Sequence, residues 1–171
     1  APDAIVSNIT AGVAHQYNGY YLFNPNFFLL NDKSIVQHNF YMYAGASGIF
    51  RKYLSWGAFA KYNFSGYNAN DLLLDGNIAV SFYPFKKKDE PVTLKGRFYT
   101  SLQEPDLFSQ RYYSNHYKWQ NDFGKTSLTR IEAALEIPTW KMNVSFGYAL
   151  VNNYLYNDTL GIIRQNDALL N

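Results

Sequence analysis

The 171-residue sequence has no cysteine, which excludes disulfides and thiolate metal sites. It is also poor in charge. Asp, Glu, Lys and Arg together make up 16% of the residues, against about 25% in an ordinary soluble domain. The net charge of +2 is too small and too dispersed to point to nucleic acid. The one tight basic run, Lys86-Lys87-Lys88, is followed at once by Asp89-Glu90 and reads as a solvated turn that neutralises itself. Apolar blocks are short, such as Phe27-Phe28-Leu29-Leu30, and no window approaches the roughly 20 apolar residues of a membrane-spanning helix. A phosphate-binding loop is missing too, because Ala44-Gly45-Ala46-Ser47-Gly48 has no lysine after it. His15, His38 and His116 stand apart from one another and from carboxylates at metal-ligand spacing. No metal or cofactor is therefore expected.

Aromatic residues are abundant: 16 Tyr, 13 Phe and 3 Trp. They explain how a chain with 47% hydrophobic residues has a mean hydropathy of only -0.30. Such a composition suits a boundary between hydrocarbon and water, where Tyr and Trp place an apolar body and a polar tip.

The strongest pattern along the chain is alternation with period two. In residues 56–64 the even positions are Trp56, Ala58, Ala60, Tyr62 and Phe64, with Lys61 and Asn63 between them. Residues 72–82 and 92–102 repeat the pattern, with Asp75 in the first and Lys95 and Arg97 in the second on the opposite face. In residues 113–123, Tyr113, Tyr117, Trp119 and Phe123 oppose Ser114, His116, Lys118 and Asp122. Further on, Ile131, Ala133, Leu135 and Ile137 oppose Arg130, Glu132 and Glu136, and Trp140 to Leu150 oppose Lys141, Asn143 and Ser145. Residues 5–17 and 39–50 alternate less cleanly, and 20–30 and 154–163 are further strand candidates. About eight segments come near the 9–11 residues that cross a membrane as a tilted strand. The stretches between them are rich in turn formers. The expected fold is all-β, an antiparallel up-and-down transmembrane barrel. The turns at 51–54, 83–91 and 122–126 would then share one end, and those at 65–71, 104–112 and 138–139 the other.

Alternation alone leaves open which face is wet. A soluble barrel would turn the charged face outward, whereas an outer-membrane barrel would turn it to a polar lumen. Small residues such as Ala58, Ala60, Gly76, Gly96 and Ala133 on the apolar face argue against a dry, close-packed core. Aromatics end the apolar stretches at Trp56, Phe82, Trp119, Phe123, Trp140 and Tyr148, where an interfacial girdle belongs. The lumen-facing set is then Lys61, Asp75, Lys95, Arg97, His116, Lys118, Asp122, Arg130, Glu132, Glu136 and Lys141. Lys95, Arg97 and Lys118 either form a cationic patch favouring anionic solutes or pair across strands with Asp75 and Asp122. Ser114-Asn115-His116 offers the residue types of a hydrolase, but Asn115 points to the opposite face from the other two, so no catalysis is expected.

Several collinear blocks carry a family resemblance. They are the stretches 65–71, 81–91 and 104–106, the run Tyr112-Tyr113-Ser114-Asn115-His116-Tyr117-Lys118-Trp119, residues 132–141, and 146–150 through 158–161. The sequence over roughly 39 to 167 resembles the putative porin family of Bacteroidetes-type outer membranes. The resemblance implies a β-barrel in the bacterial outer membrane with a general transport role and lipids around it. Members of that family are several times longer, which implies that this chain is an interior portion of a larger barrel. Passive passage of small polar solutes is the function expected. A non-conducting subunit that partners other outer-membrane proteins is the alternative, and a soluble ligand-binding barrel is the third reading.

Overall fold

A computed structural model of the chain describes residues 5–20, 35–84, 90–114 and 116–170. Eight strands form one antiparallel sheet: β1 (Asn8–Tyr20), β2 (Ile35–Phe50), β3 (Leu54–Ser65), β4 (Leu72–Phe82), β5 (Val92–Gln103), β8 (Thr126–Ile137), β9 (Met142–Asn157) and β10 (Ile163–Leu170). They lie side by side in that order. The sheet is up-and-down throughout and does not close, so β1 and β10 are its edges. Strands β3, β4, β5 and β8 run 11 to 12 residues, the length that spans hydrocarbon at a tilt.

Register fixes which side chains share a face. One row runs Ala46, Ala58, Gly76, Phe98, Ile131, Tyr148 across six strands, and the next runs Gly48, Trp56, Ile78, Gly96, Ala133, Phe146. The opposite face carries Gly45, Phe59, Asp75, Tyr99, Arg130, Ala149 in one row and Ser47, Gly57, Asn77, Arg97, Glu132, Gly147 in another. The sequence periods thus converge on two faces of opposite character.

Residues 113–123 do not form the sheet strand expected of them. Strand β5 pairs directly with β8. The residues between hold a short helix, α1 (Leu107–Gln110), and a separate hairpin of β6 (Arg111–Tyr113) and β7 (Lys118–Gln120). The hairpin is held by stacking of Tyr112 on Trp119, with ring centroids 4.6 Å apart. Its aromatics alternate in sequence because they pack on one another and on α1, not on a sheet. Trp119 donates a 2.8 Å hydrogen bond to the Phe108 carbonyl.

Two boundaries also shift. Pro138–Trp140 is a 3-10 turn closed by Lys141 in the left-handed region (φ 51), so β9 begins at Met142 rather than at Trp140. Strand β9 continues to Asn157, and a turn at 158–162 separates it from β10; the candidate strand 154–163 is therefore divided. The candidate at 20–30 lies, apart from Tyr20, outside the described residues.

Removing one expected strand also corrects the ends of the sheet. The β2–β3, β4–β5 and β8–β9 connections start from one end, and the β3–β4, β5–β8 and β9–β10 connections from the other. The short Pro138 turn thus joins the 51–53 turn, and residues 122–126 change sides.

Candidate functional site

The apolar face is exposed. Among the described residues, Ile9, Val13, Met42, Ile78, Leu94, Phe98, Ile131, Val144 and Phe146 all stand open, with Phe146 at 69% and Ile9 at 74%. No Asp, Glu, Lys or Arg falls on this face from β1 through β8 and on β9 as far as Leu150. Where hydroxyls face each other on it, they satisfy each other: Thr100 and Thr129 share a 3.1 Å hydrogen bond. Polar groups without water must be paired within the protein, and these are.

The polar face gathers the charge. Arg97 makes two hydrogen bonds to Asp75, Nε to Oδ1 at 3.1 Å and Nη2 to Oδ2 at 2.8 Å. Lys95 pairs with Glu136 at 2.6 Å, and Arg130 lies 3.7 Å from Glu132. The Lys61 ammonium sits 4.1 Å from the Tyr41 ring centroid, a cation–π contact on the same face. Ser81 and Thr93 share a 3.0 Å hydrogen bond nearer the 51–53 end.

Of the residues proposed from sequence to face a lumen, Lys61, Asp75, Lys95, Arg97, Arg130, Glu132 and Glu136 share this face. His116, Lys118 and Asp122 do not lie on it, because their segment is the β5–β8 connection; Lys141 caps a turn. The cationic patch is dissolved by pairing. Arg97 takes Asp75 as foreseen, but Lys95 takes Glu136 and not Asp122. In the girdle set, Trp56, Phe82 and Tyr148 lie on the apolar face, whereas Trp119 and Phe123 belong to the connection and Trp140 to the 3-10 turn.

What the sequence did not reveal is a polar core at the loop end. Buried there on the polar face are Gln37, Asn39, Asn63 and Ser101, together with Asp71, Ser109 and Gln110 in the adjoining connections. The β3–β4 turn folds onto β2, so that Asn39 Oδ1 accepts from the Asn68 amide at 3.1 Å. Gln110 is held by the Phe123 backbone, donating to its carbonyl and accepting from its amide, both at 2.9 Å.

Three segments meet at Lys125. Its ammonium donates to Asp71, to Glu104 at 3.1 Å and to the Ala69 carbonyl at 2.9 Å. Burial works against this charge, but the hydrogen bonds to Asp71 and Glu104 outweigh it and hold Lys125 above the ordinary lysine value. Beside it, Tyr67 donates 2.8 Å to the Pro105 carbonyl. Burial, then the neighbouring carboxylates Glu104 and Asp106, push the Tyr67 phenol up to about 12.

Both groups bind their protons more tightly in the folded state than in the unfolded one. The Tyr67 contribution is complete below pH 10 and falls as pH rises toward 12, and that of Lys125 is lost in the same direction. The loop end is therefore expected to loosen between pH about 10 and 12 while the strands stay paired. Hydrogen exchange at the Glu104 amide, which donates 2.9 Å to Asp71, checks this; unchanged protection to pH 12 contradicts it.

The chain matches the family described as "Putative porin" over residues 4–171. It belongs to that family. No curated protein and no solved structure gives a significant match to the chain.

Proposed function

We propose that the chain is wall of an outer-membrane pore that passes small polar solutes passively, with its apolar face to lipid and its polar face to water. The observation that carries this reading is the pairing of faces: a continuous, exposed, charge-free surface set back to back with one that carries the strand charges, most of them in ion pairs. A soluble barrel would instead have to bury the first face against other protein. Family membership supports a porin-like role, and a bacterial outer-membrane location follows from the same reading.

The side chains of Lys95 and Arg97 keep 48% and 47% exposure, whereas the interior of a closed eight-stranded barrel is filled by side chains. The sheet is thus read as an arc. Open strand edges are not tolerated in hydrocarbon, so further antiparallel strands would complete the wall along β1 and β10. Bacterial barrels keep short turns on the periplasmic side; by that rule the 51–53 and 138–141 end faces the periplasm.

Planar-bilayer recording of the protein purified from membranes tests the proposal. Discrete, ohmic steps support it, and a membrane-inserted protein without conductance would favour a non-conducting partner subunit. Selectivity gives a second check. Because Lys95, Arg97 and Arg130 are paired with carboxylates and only Lys61 rests on an aromatic ring, the open pore should be weakly selective. The double variant Lys95→Glu, Arg97→Glu replaces two cations with two anions and leaves Asp75 and Glu136 unpaired, so selectivity should swing clearly toward cations. If the reversal potential stays put, the wall does not line the conducting path.

A further inference from the structure

Strand pairing brings together two histidines that lie 23 residues apart in the sequence. Between β1 and β2, His15 stands opposite Phe40 and Tyr17 opposite His38. His15 and His38 are therefore diagonal neighbours on one face, within reach of each other's side chains. His15 Nε2 lies 3.0 Å from His38 Nδ1. The rings are 10° from parallel with centroids 5.2 Å apart, so they meet nitrogen to nitrogen at their edges. Such a contact holds one proton: one ring donates it and the other offers a lone pair.

We propose that His15 and His38 form a binding site for a late first-row transition-metal ion, with copper(II) held most tightly. The spacing of the nitrogens is the first argument. Imidazole nitrogens sit about 2.0 Å from such an ion. Two of them are then about 2.8 Å apart at a right angle, as in a square-planar site, and about 3.3 Å apart at the tetrahedral angle. The pair stands between those values. The ion takes the place of the shared proton, and a modest turn of each ring aims both lone pairs at it.

The second argument is preorganisation. Phe40 stacks on His15 with centroids 4.6 Å apart, and Tyr17 meets His38 edge-on at 5.3 Å. These neighbours keep the two rings side by side before an ion arrives, which lowers the ordering cost of binding. Both histidines are exposed, so an ion can reach them and water can complete its shell. The donors decide the class of ion. Among the described residues no carboxylate or third histidine joins the pair in a larger cluster. Two neutral imidazoles suit copper, nickel and zinc, whereas magnesium and calcium want oxygen. Within the first group affinity rises from nickel to copper and falls again at zinc.

The pair also lies past the end of the neighbouring strand. Strand β3 stops at Ser65, opposite Phe40, so His38 stands beyond its last residue, at the loop end. The site needs only the pairing of β1 with β2 and holds whether or not the wall conducts.

The test is calorimetric titration of the whole, metal-stripped protein in detergent with copper(II) chloride. Saturable binding is expected, with nickel(II) and zinc(II) competing for the same site more weakly. Partners beyond the ligands are typically worth about 10–100-fold in metal affinity, so losing a ligand should cost at least about 100-fold. His15→Gln and His38→Gln should each show that loss, and His116→Gln should bind as the original does. No saturable binding up to about 1 mM copper(II) would overturn the site. Equal affinity in the original and all three variants would mean adventitious binding only and overturn it as well. Should the His15 and His38 variants fail to fold, electron paramagnetic resonance on the unaltered protein at one equivalent of copper(II) decides. Nitrogen splitting from two imidazoles is the expected signature, and a spectrum with one imidazole or none would refute the pair as ligands.

Discussion

Replacing Ile131 by arginine is expected to cost about 2–4 kcal/mol of folding stability in a bilayer. Ile131 lies mid-strand in β8, 50% exposed, between Phe98 and Tyr148 on the charge-free face. A guanidinium there must leave water, thin the bilayer or pull the strand out of register. The control is Ser145→Arg, three residues from Tyr148 on β9 and on the polar face, where water would hydrate the charge and the change should stay within about 0.5 kcal/mol. Urea titration of folding into liposomes gives both values. The comparison separates membrane barrel from soluble barrel. If Ser145→Arg proved the damaging one, the two faces would have been assigned the wrong way round.

Substituting Gly66 by alanine should be of similar size, on the order of 3 kcal/mol. Gly66 has φ +102, and a Cβ there would lie 2.0 Å from the His38 carbonyl oxygen and 2.5 Å from Asn39 Oδ1. Neither neighbour can give way cheaply: one is backbone, and the other belongs to the fully buried Asn39. The turn must lift from β2, which breaks the bond from Asn68 and wets the amide layer beneath. Gly147→Ala is the matched control, since its nearest contact would be Glu132 Cγ at an ordinary 3.8 Å. The same titration should find that change nearly silent. Equal losses at the two positions would mean that the turn does not press on β2.

The sheet was legible in the sequence where each strand keeps strict alternation. Strands β4 and β5 pair residue for residue without a bulge from Leu72 opposite Leu102 to Phe82 opposite Val92, so period two survives intact. Strand β2 alternates less clearly because its register against β3 shifts between Phe40 and Tyr41, and its middle is built of small residues. The error at residues 113–123 has a physical source. Tyr112, Tyr117 and Trp119 pack on one another within the connection, and local stacking yields the same alternation as a sheet. Pro105-Asp106 with Ser109 three residues on was the available counter-signal, since Asp before a short apolar run caps a helix. The Lys125, Asp71 and Glu104 cluster had no such signal. Its members are far apart in sequence and meet only after β3, β4, β5 and β8 are in place. The Lys95 partner was misassigned for a related reason: with 113–123 counted as a strand, β5 had the wrong neighbour.

The open apolar face bears on how this sequence can drift. A side chain in a protein interior is held by neighbours packed like a crystal, so its shape matters as much as its polarity. Ile78, Phe98, Val144 and Phe146 have no protein layer above them among the described residues, and on the proposed reading they meet liquid hydrocarbon, which conforms to whatever outline it meets. Leucine for phenylalanine, or valine for isoleucine, leaves such a boundary satisfied. Selection there acts on chemical type and leaves volume nearly free. Across the sheet, Gln37, Asn39 and Asn63 are buried, and Asn39 Oδ1 accepts from the Asn68 amide, so a change of shape there would be felt. The two sides of each strand therefore age at different rates, and relatives could diverge far in identity while keeping the same alternation.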